Sequence, residues 1–252
     1  PLTATLSEAE SLLHVRPERR HRLPHGSALT GDAAGAPVVV NFSKVNYPEI
    51  FGAVHLLRYG LLGPIRRLSL SYLQSWMVST VWGEWWRNPR WLWRISSSNL
   101  GGGALRDLGS HLFYLVLLIL GDGEVTSAET WQAADRSLAG NSGHSCDLND
   151  SFRAGVVASG GAVAEVEASY ARAGNTNNVI LQADCEEGRL EVNLEDARGL
   201  VRTTRYTDRE YRFSKVFSTY DEFLRRCGGD ETVPHWIPPA SLADGVAVQR
   251  MI

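Results

Sequence analysis

Between residues 163 and 195 the chain alternates apolar and polar side chains in short runs. Ala164, Val166, Ala168 and Tyr170 alternate with Glu165, Glu167 and Ser169; Val179, Leu181, Ala183 and Cys185 share a parity; Leu190, Val192 and Leu194 alternate with Glu191, Asn193 and Glu195. A period of two puts one set of side chains on each face of a strand, so these are half-buried strands. The separators, Ser159-Gly160-Gly161, Gly174-Asn175 and Glu187-Gly188, are far shorter than the dozen or so residues a parallel crossover needs. The strands therefore run mostly antiparallel, in one large open sheet between about residues 125 and 214.

Helical patterns flank this region. Ser7-Glu8-Ala9-Glu10 reads as a capped helix start. Pro48, with Ile50, Val54, Leu57 and Leu61 on one face, predicts an amphipathic helix. Gly101-Gly102-Gly103 leads into a helix from Ala104 to Leu120, and helices are expected again at 218–227 and 241–252. Val38 to Phe42 reads as a buried strand, and Ile65 to about Trp76 as another. Residues 15–36 are rich in Arg, Gly, Ala and Pro without an apolar period, and read as an irregular insertion.

The formal net charge of -3 supplies no basic field for phosphates, so nucleic acid is not expected as a partner. The longest apolar run, Leu112 to Leu120, has nine residues where about 20 are needed to span a bilayer, so it reads as a buried helix and no membrane is expected. The start Pro1-Leu2-Thr3-Ala4 has no signal-peptide pattern. Cys146, Cys185 and Cys227 are odd in number and widely spaced, which fits a reducing cytoplasm and neither a disulfide framework nor a structural metal site. His144 and Cys146 lack a second half at metal-ligand spacing, so no metal is expected.

No G-x-G-x-x-G or Walker-type loop occurs, so the chain has no recognisable phosphate cradle. The informative constellation is Asp107 and His111, one helical turn apart with Gly109 between them. A carboxylate so placed can orient an imidazole that takes a proton from an alcohol while its carbon loses hydride. The same spacing also suits a carboxylate capping locally and a histidine satisfied in the core. Six of the eight tryptophans (Trp76, Trp82, Trp85, Trp86, Trp91 and Trp93) fall in one stretch that can fill core or form the wall of a site.

These motifs resemble the Gfo/Idh/MocA oxidoreductases. Trp93-Arg94, then Gly101-Gly102-Gly103-Ala104-Leu105-Arg106-Asp107-Leu108-Gly109-Ser110-His111, then Leu120-Gly121, is similar to the family's W-R, G-G-G-x-L-x-D-x-G-x-H and terminal L-x-G pattern. The segments at 1–10, 38–48, 220–224 and 243–248 extend the resemblance; residues 15–36 lie outside it, and Tyr114 stands where many members have Asp. The resemblance implies an α/β (α+β) fold: a large open, mostly antiparallel sheet with helices on one face, forming the C-terminal domain. It divides the chain into a remnant of the N-terminal Rossmann domain at 1–42, that domain being largely missing, and a substrate-binding domain at 43–252. It implies NAD or NADP in the full-length protein, with none bound tightly by this chain alone, and a sugar, cyclitol or related polyol as substrate. Asp107 and His111 match its proton-transfer pair, and Lys44, Trp93 and Arg94 match substrate-site positions. Association into a homo-oligomer through the sheet face is expected. The alternative is a non-catalytic sugar-binding or oligomerisation module that keeps the fold.

Overall fold

A computed structural model describes residues 38–203 apart from 59, 61 and 100, together with 209–211, 219, 224, 227 and 240–252. The expectations for residues 1–37 and most of the helix at 218–227 lie outside these. The framework is an 8-stranded sheet with strands β1 (Ile65–Leu73), β2 (Gly123–Trp131), β3 (Ser151–Ala158), β4 (Val163–Ser169), β5 (Asn178–Cys185), β6 (Gly188–Asn193), β7 (Arg198–Thr203) and β8 (Arg209–Tyr211), in the order β2-β3-β4-β1-β5-β6-β7-β8.

All neighbouring pairs are antiparallel except β1 with β4. The short separators close the expected hairpins at 159–162 and 186–187, but the Gly174-Asn175 stretch does not join neighbours: β1 lies between β4 and β5. The sheet is thus centred on a strand from outside the 125–214 region. Periodicity marks a strand's faces and says nothing of its lateral neighbours, which is why this insertion was not foreseen.

One face is apolar. Leu68, Leu70 and Tyr72 on β1, Phe152, Ala154 and Val156 on β3, Ala164, Val166 and Ala168 on β4, and Val179, Leu181 and Ala183 on β5 are all buried. Of helices α1 (Pro48–Arg58), α2 (Pro89–Leu92), α3 (Gly103–Asp107) and α4 (Gly109–Leu120), α1 and α4 cover this side, α4 lying over β1 and β4. Helix α5 (Leu242–Met251) packs on α4 and begins with a capping box, in which Ser241 accepts from the Asp244 N–H at 3.2 Å and Asp244 accepts from the Ser241 N–H at 2.7 Å. The stretch 103–120 reaches the length and mean hydropathy of a membrane-crossing helix, but it is 67% buried inside the protein, as a core helix between a sheet and other helices must be.

Two expectations change in detail. The helix predicted over 104–120 is divided into α3 (Gly103–Asp107) and α4, because the hydrogen-bond ladder tightens at Leu108, whose carbonyl accepts from the His111 N–H at 3.2 Å. The segment 38–42 is buried as expected but makes a single antiparallel bridge, Val40 to Ala240, before a short 3-10 turn at Ser43–Asn46. Its apolar residues pack on helices rather than in the ladder: Val40 abuts the position a side chain would take at Gly245 of α5, and Phe42 stacks on Tyr114 of α4.

Candidate active site

The parallel pairing of β1 and β4 brings their carboxyl ends to the same edge of the sheet, where Tyr72, Gln74 and Tyr170 emerge and where β5 begins at Asn178. Three further segments converge there: the turn carrying Lys44, the turn Trp93–Ile95 with Arg94, and the junction of α3 and α4 with Asp107 and His111.

Asp107 is the hub. Its Oδ2 pairs with the Arg94 guanidinium and accepts a hydrogen bond of 2.6 Å from the hydroxyl of Tyr170, which is fully buried. Burial alone would lower the Arg94 pKa, but the charge of Asp107 and the Tyr170 contact outweigh it and hold the guanidinium charged. The Tyr170 phenol is pushed well above its usual range by burial, and further by the Asp107 charge. Arg94 also stands over the rings of Trp93 and Trp91, at 5.2 and 5.6 Å from their centroids.

Lys44 lies across from this pair with only 5% of its surface exposed, its ammonium over the Tyr72 ring at 4.5 Å and the Tyr47 ring at 5.0 Å. Burial pushes its pKa down to about 8, while Asp107 pulls the other way. The imidazole of His111 is 6% exposed and meets the rings of Tyr72 and Phe42 edge-on at 6.1 and 6.0 Å. Tyr72 therefore borders both Lys44 and His111. Its hydroxyl donates to Asn177 Oδ1 at 2.8 Å, Gln74 Nε2 donates to the same oxygen at 2.8 Å, and Trp76 Nε1 donates to Gln74 Oε1 at 3.1 Å.

The glycine run has a definite task. Gly103 has φ +63, and a Cβ there would stand 2.6 Å from the Asn149 carbonyl oxygen; one on Gly101 would stand 2.6 Å from the Arg94 carbonyl oxygen. The separate W-R and G-G-G motifs thus form one unit, in which backbone presses on backbone to aim Arg94 at Asp107. Segment 146–150 holds the other side of this unit. Leu148 N–H donates to Ile95 O, Ser97 N–H to Asp147 Oδ1, Ala104 N–H to Asn149 O and Leu105 N–H to Asn149 Oδ1, at 2.9 to 3.1 Å. Fully buried Asp150, paired with Arg136 at 2.9 Å, anchors the segment.

All five residues singled out in the sequence, Lys44, Trp93, Arg94, Asp107 and His111, come to this edge. Trp76 and Trp85 are core, at 1% and 2% exposure, and Trp91 stacks between Trp76 and Trp82. Gly109, between Asp107 and His111, packs against the Phe152 ring, which a Cβ there would meet at 2.7 Å. Tyr114, in place of an Asp, is 3% exposed and stacked on Phe42 at 4.3 Å, which makes that position core. Tyr72, Gln74, Tyr170 and Asn177 were missed; only the last two residues of an apolar parity, Tyr72 and Tyr170, each with a hydroxyl at a strand end, gave any signal. Among the described residues no group of three or more His, Cys, Asp or Glu could hold a metal ion.

Comparison with known proteins identifies the fold and the family. Residues 53–195 match the family described as GFO/IDH/MocA C-terminal domain. A levoglucosan dehydrogenase from Pseudarthrobacter phenanthrenivorans is 25% identical over 181 residues, which are 65% of this chain and 45% of that protein. The chain thus spans less than half the length of this curated relative. The structure of levoglucosan dehydrogenase in complex with NADH superposes with a TM-score of 0.66 at 22% identity, covering 86% of this chain and 63% of that one. An NAD binding oxidoreductase from Klebsiella pneumoniae gives 0.66 at 19% identity, covering 87% and 63%. At such identities the structures share the fold, while the match to the family spans more than half of the chain. The chain belongs to the GFO/IDH/MocA family, and residues 53–195 match its C-terminal domain.

Proposed function

We propose that the whole protein is an NAD(P)-dependent oxidoreductase acting on a CH–OH group of a sugar, cyclitol or related polyol, and that this chain carries its substrate-binding and proton-transfer part. The observation that supports this is the convergence of Lys44, Arg94, Asp107 and His111 around the Tyr72 and Trp93 rings at one sheet edge. Lys44 and Arg94 offer N–H donors to hydroxyl oxygens, and an aromatic wall suits the apolar face of a sugar ring. His111 takes the proton of the hydroxyl whose carbon loses hydride, and the Asp107 charge steadies the imidazolium. The relative's name, levoglucosan dehydrogenase, supports the substrate class, and its complex with NADH supports the cofactor.

The dinucleotide that the family implies does not fit the described residues. Their one glycine run before a helix is filled by Trp93, Arg94 and Asn149, which leaves no cradle for a pyrophosphate. The second reading is a sugar-binding or oligomerising module that keeps the fold without catalysis. In the full-length protein, His111→Ala that remains folded lowers polyol-dependent NAD(P)H formation by roughly two to four orders of magnitude. Undiminished turnover by that folded variant overturns the catalytic assignment. Calorimetric binding of a polyol with no turnover under any cofactor selects the module instead.

We also propose a homo-oligomer joined through the uncovered sheet face, and a cytoplasmic location with its cysteines reduced. That face carries a groove of about 570 Å³ along Ser69, Ser71, Ser127, Glu129, Arg153 and Glu165, and its alternating Arg and Glu can meet their opposites on a second copy. Light scattering showing only monomer at micromolar concentration removes the oligomer.

A further inference from the structure

We infer that Tyr170 is a positioning residue of this site: its buried hydroxyl and the Arg94 guanidinium hold one oxygen of Asp107, so that the carboxylate is presented to the site, within the field of Lys44, in a single orientation. The inference rests on the reading of Asp107 as part of the proton-transfer site. The O···O distance of 2.6 Å is that of a hydroxyl donating to a charged carboxylate, whereas the same hydroxyl is 3.3 Å from the Gly103 carbonyl oxygen. One phenolic proton serves both, and the shorter, charged acceptor takes most of it. Tyr170 therefore spans the first and last residues of α3 and ties that helix to the end of β4. Its ring packs on Trp76, with centroids 4.7 Å apart, and the Trp76 indole is itself fixed by Gln74. A phenol held this firmly gives the carboxylate little freedom to turn.

The groups that act on Asp107 come from every neighbouring element. Arg94 comes from the preceding turn, Tyr170 from the end of β4, Tyr72 from β1 and Lys44 from the turn before α1, while His111 on α4 borders the Tyr72 ring. A donor to the charged form of a carboxylate favours that form. Loss of the Tyr170 hydroxyl therefore makes Asp107 easier to protonate and freer to rotate, while Phe keeps the ring and its packing.

The test is Tyr170→Phe, examined in two ways. In this chain labelled with ¹³C at the aspartate carboxyls, the Asp107 resonance, assigned by its loss in Asp107→Asn, titrates at higher pH in Tyr170→Phe than in the parent. In the full-length protein, polyol turnover falls about tenfold to a hundredfold, the worth of a hydrogen bond to a charged group, with most of the loss in kcat rather than KM. Asp107→Asn and the double variant then turn over at the same rate, since Tyr170 acts through Asp107. An unchanged Asp107 titration, or a double variant whose losses multiply, overturns the inference. A shifted titration with unchanged turnover upholds the clamp on Asp107 and overturns the catalytic reading of that residue.

Discussion

Arginine–carboxylate pairs occur on both sides of the sheet, under opposite conditions. Arg94 and Asp107 meet at the covered edge with side chains 25% and 12% exposed, whereas Arg67 and Glu165 meet at 2.6 Å on the open face with 51% and 62% exposed. Water screens the open pair and both partners keep much of their hydration, so its net worth is small. Removing one partner at the covered edge strands a poorly hydrated charge. The covered pair also has a third member, Tyr170, and two indoles beneath it, while the open pair has only strand neighbours. The same two functional groups make a fixed element of a site in one place and a solvated surface in the other, and burial decides which.

The largest expected effect comes from disturbing what aims the covered pair. Gly101→Ala puts a methyl group against the Trp93 and Arg94 carbonyls, which belong to backbone and cannot rotate away. We expect a loss of at least about 3 kcal/mol of stability, the upper range for overpacking, measured by urea denaturation. Loss of polyol binding should accompany it in any variant that still folds. A stable variant with unaltered binding would show that the glycine run does not set the Arg94 geometry.

How much of this was legible in advance differs between the two sides. The strands, their buried parity and the order of the helices followed from residues such as Leu190, Glu191 and Val192, because period two is a local property. Asp107, His111 and Arg94 were legible because their spacing falls within one turn or one motif. Tyr170 looked like one more core residue of a strand, and nothing local separates a buried phenol that binds a carboxylate 63 residues away from one that only packs. Asn149 and Asp147 carry no local signal of their part, because their bonds to 97–105 are likewise long-range. The central place of β1 was hidden for the same reason: lateral order in a sheet is set by tertiary packing.

Lys44 sharpens the contrast at intermediate magnitude. Its folded pKa is lowered to about 8 by burial, so between about pH 8 and 10 the unfolded chain binds a proton that the folded chain has lost. The contribution of Lys44 to stability therefore rises with pH across that window, by on the order of 2 to 3 kcal/mol, and below pH 8 the full penalty of burying the ammonium persists. Above about pH 10 the buried phenols of Tyr72, Tyr114 and Tyr170, all raised by burial, reverse the trend, because they ionise in the unfolded chain first. The Cys185 thiol, pushed up to about 11 by burial, works in the opposite sense above about pH 9, so the check is a difference: the gap in denaturation midpoint between Lys44→Met and the parent should shrink as pH rises from 8 to 10. A gap that stays constant would show that Lys44 does not titrate there.

The smallest effect belongs to the open face, and it separates the stability of one molecule from its association with a second. Arg67→Ala, Glu165→Ala and the double variant form a cycle whose coupling should be small and should shrink in molar salt, since both side chains are more than half exposed. On the monomer this is barely measurable. If the face carries a second copy, the same charges lie in a contact that removes water from them, and the single variants should weaken association more than they weaken folding. Sedimentation of Glu165→Ala at low and high salt distinguishes the cases. A dimerisation constant that follows salt in the parent and loses part of that dependence in the variant places the Arg–Glu ladder in the contact, whereas identical salt curves leave the ladder as solvated surface.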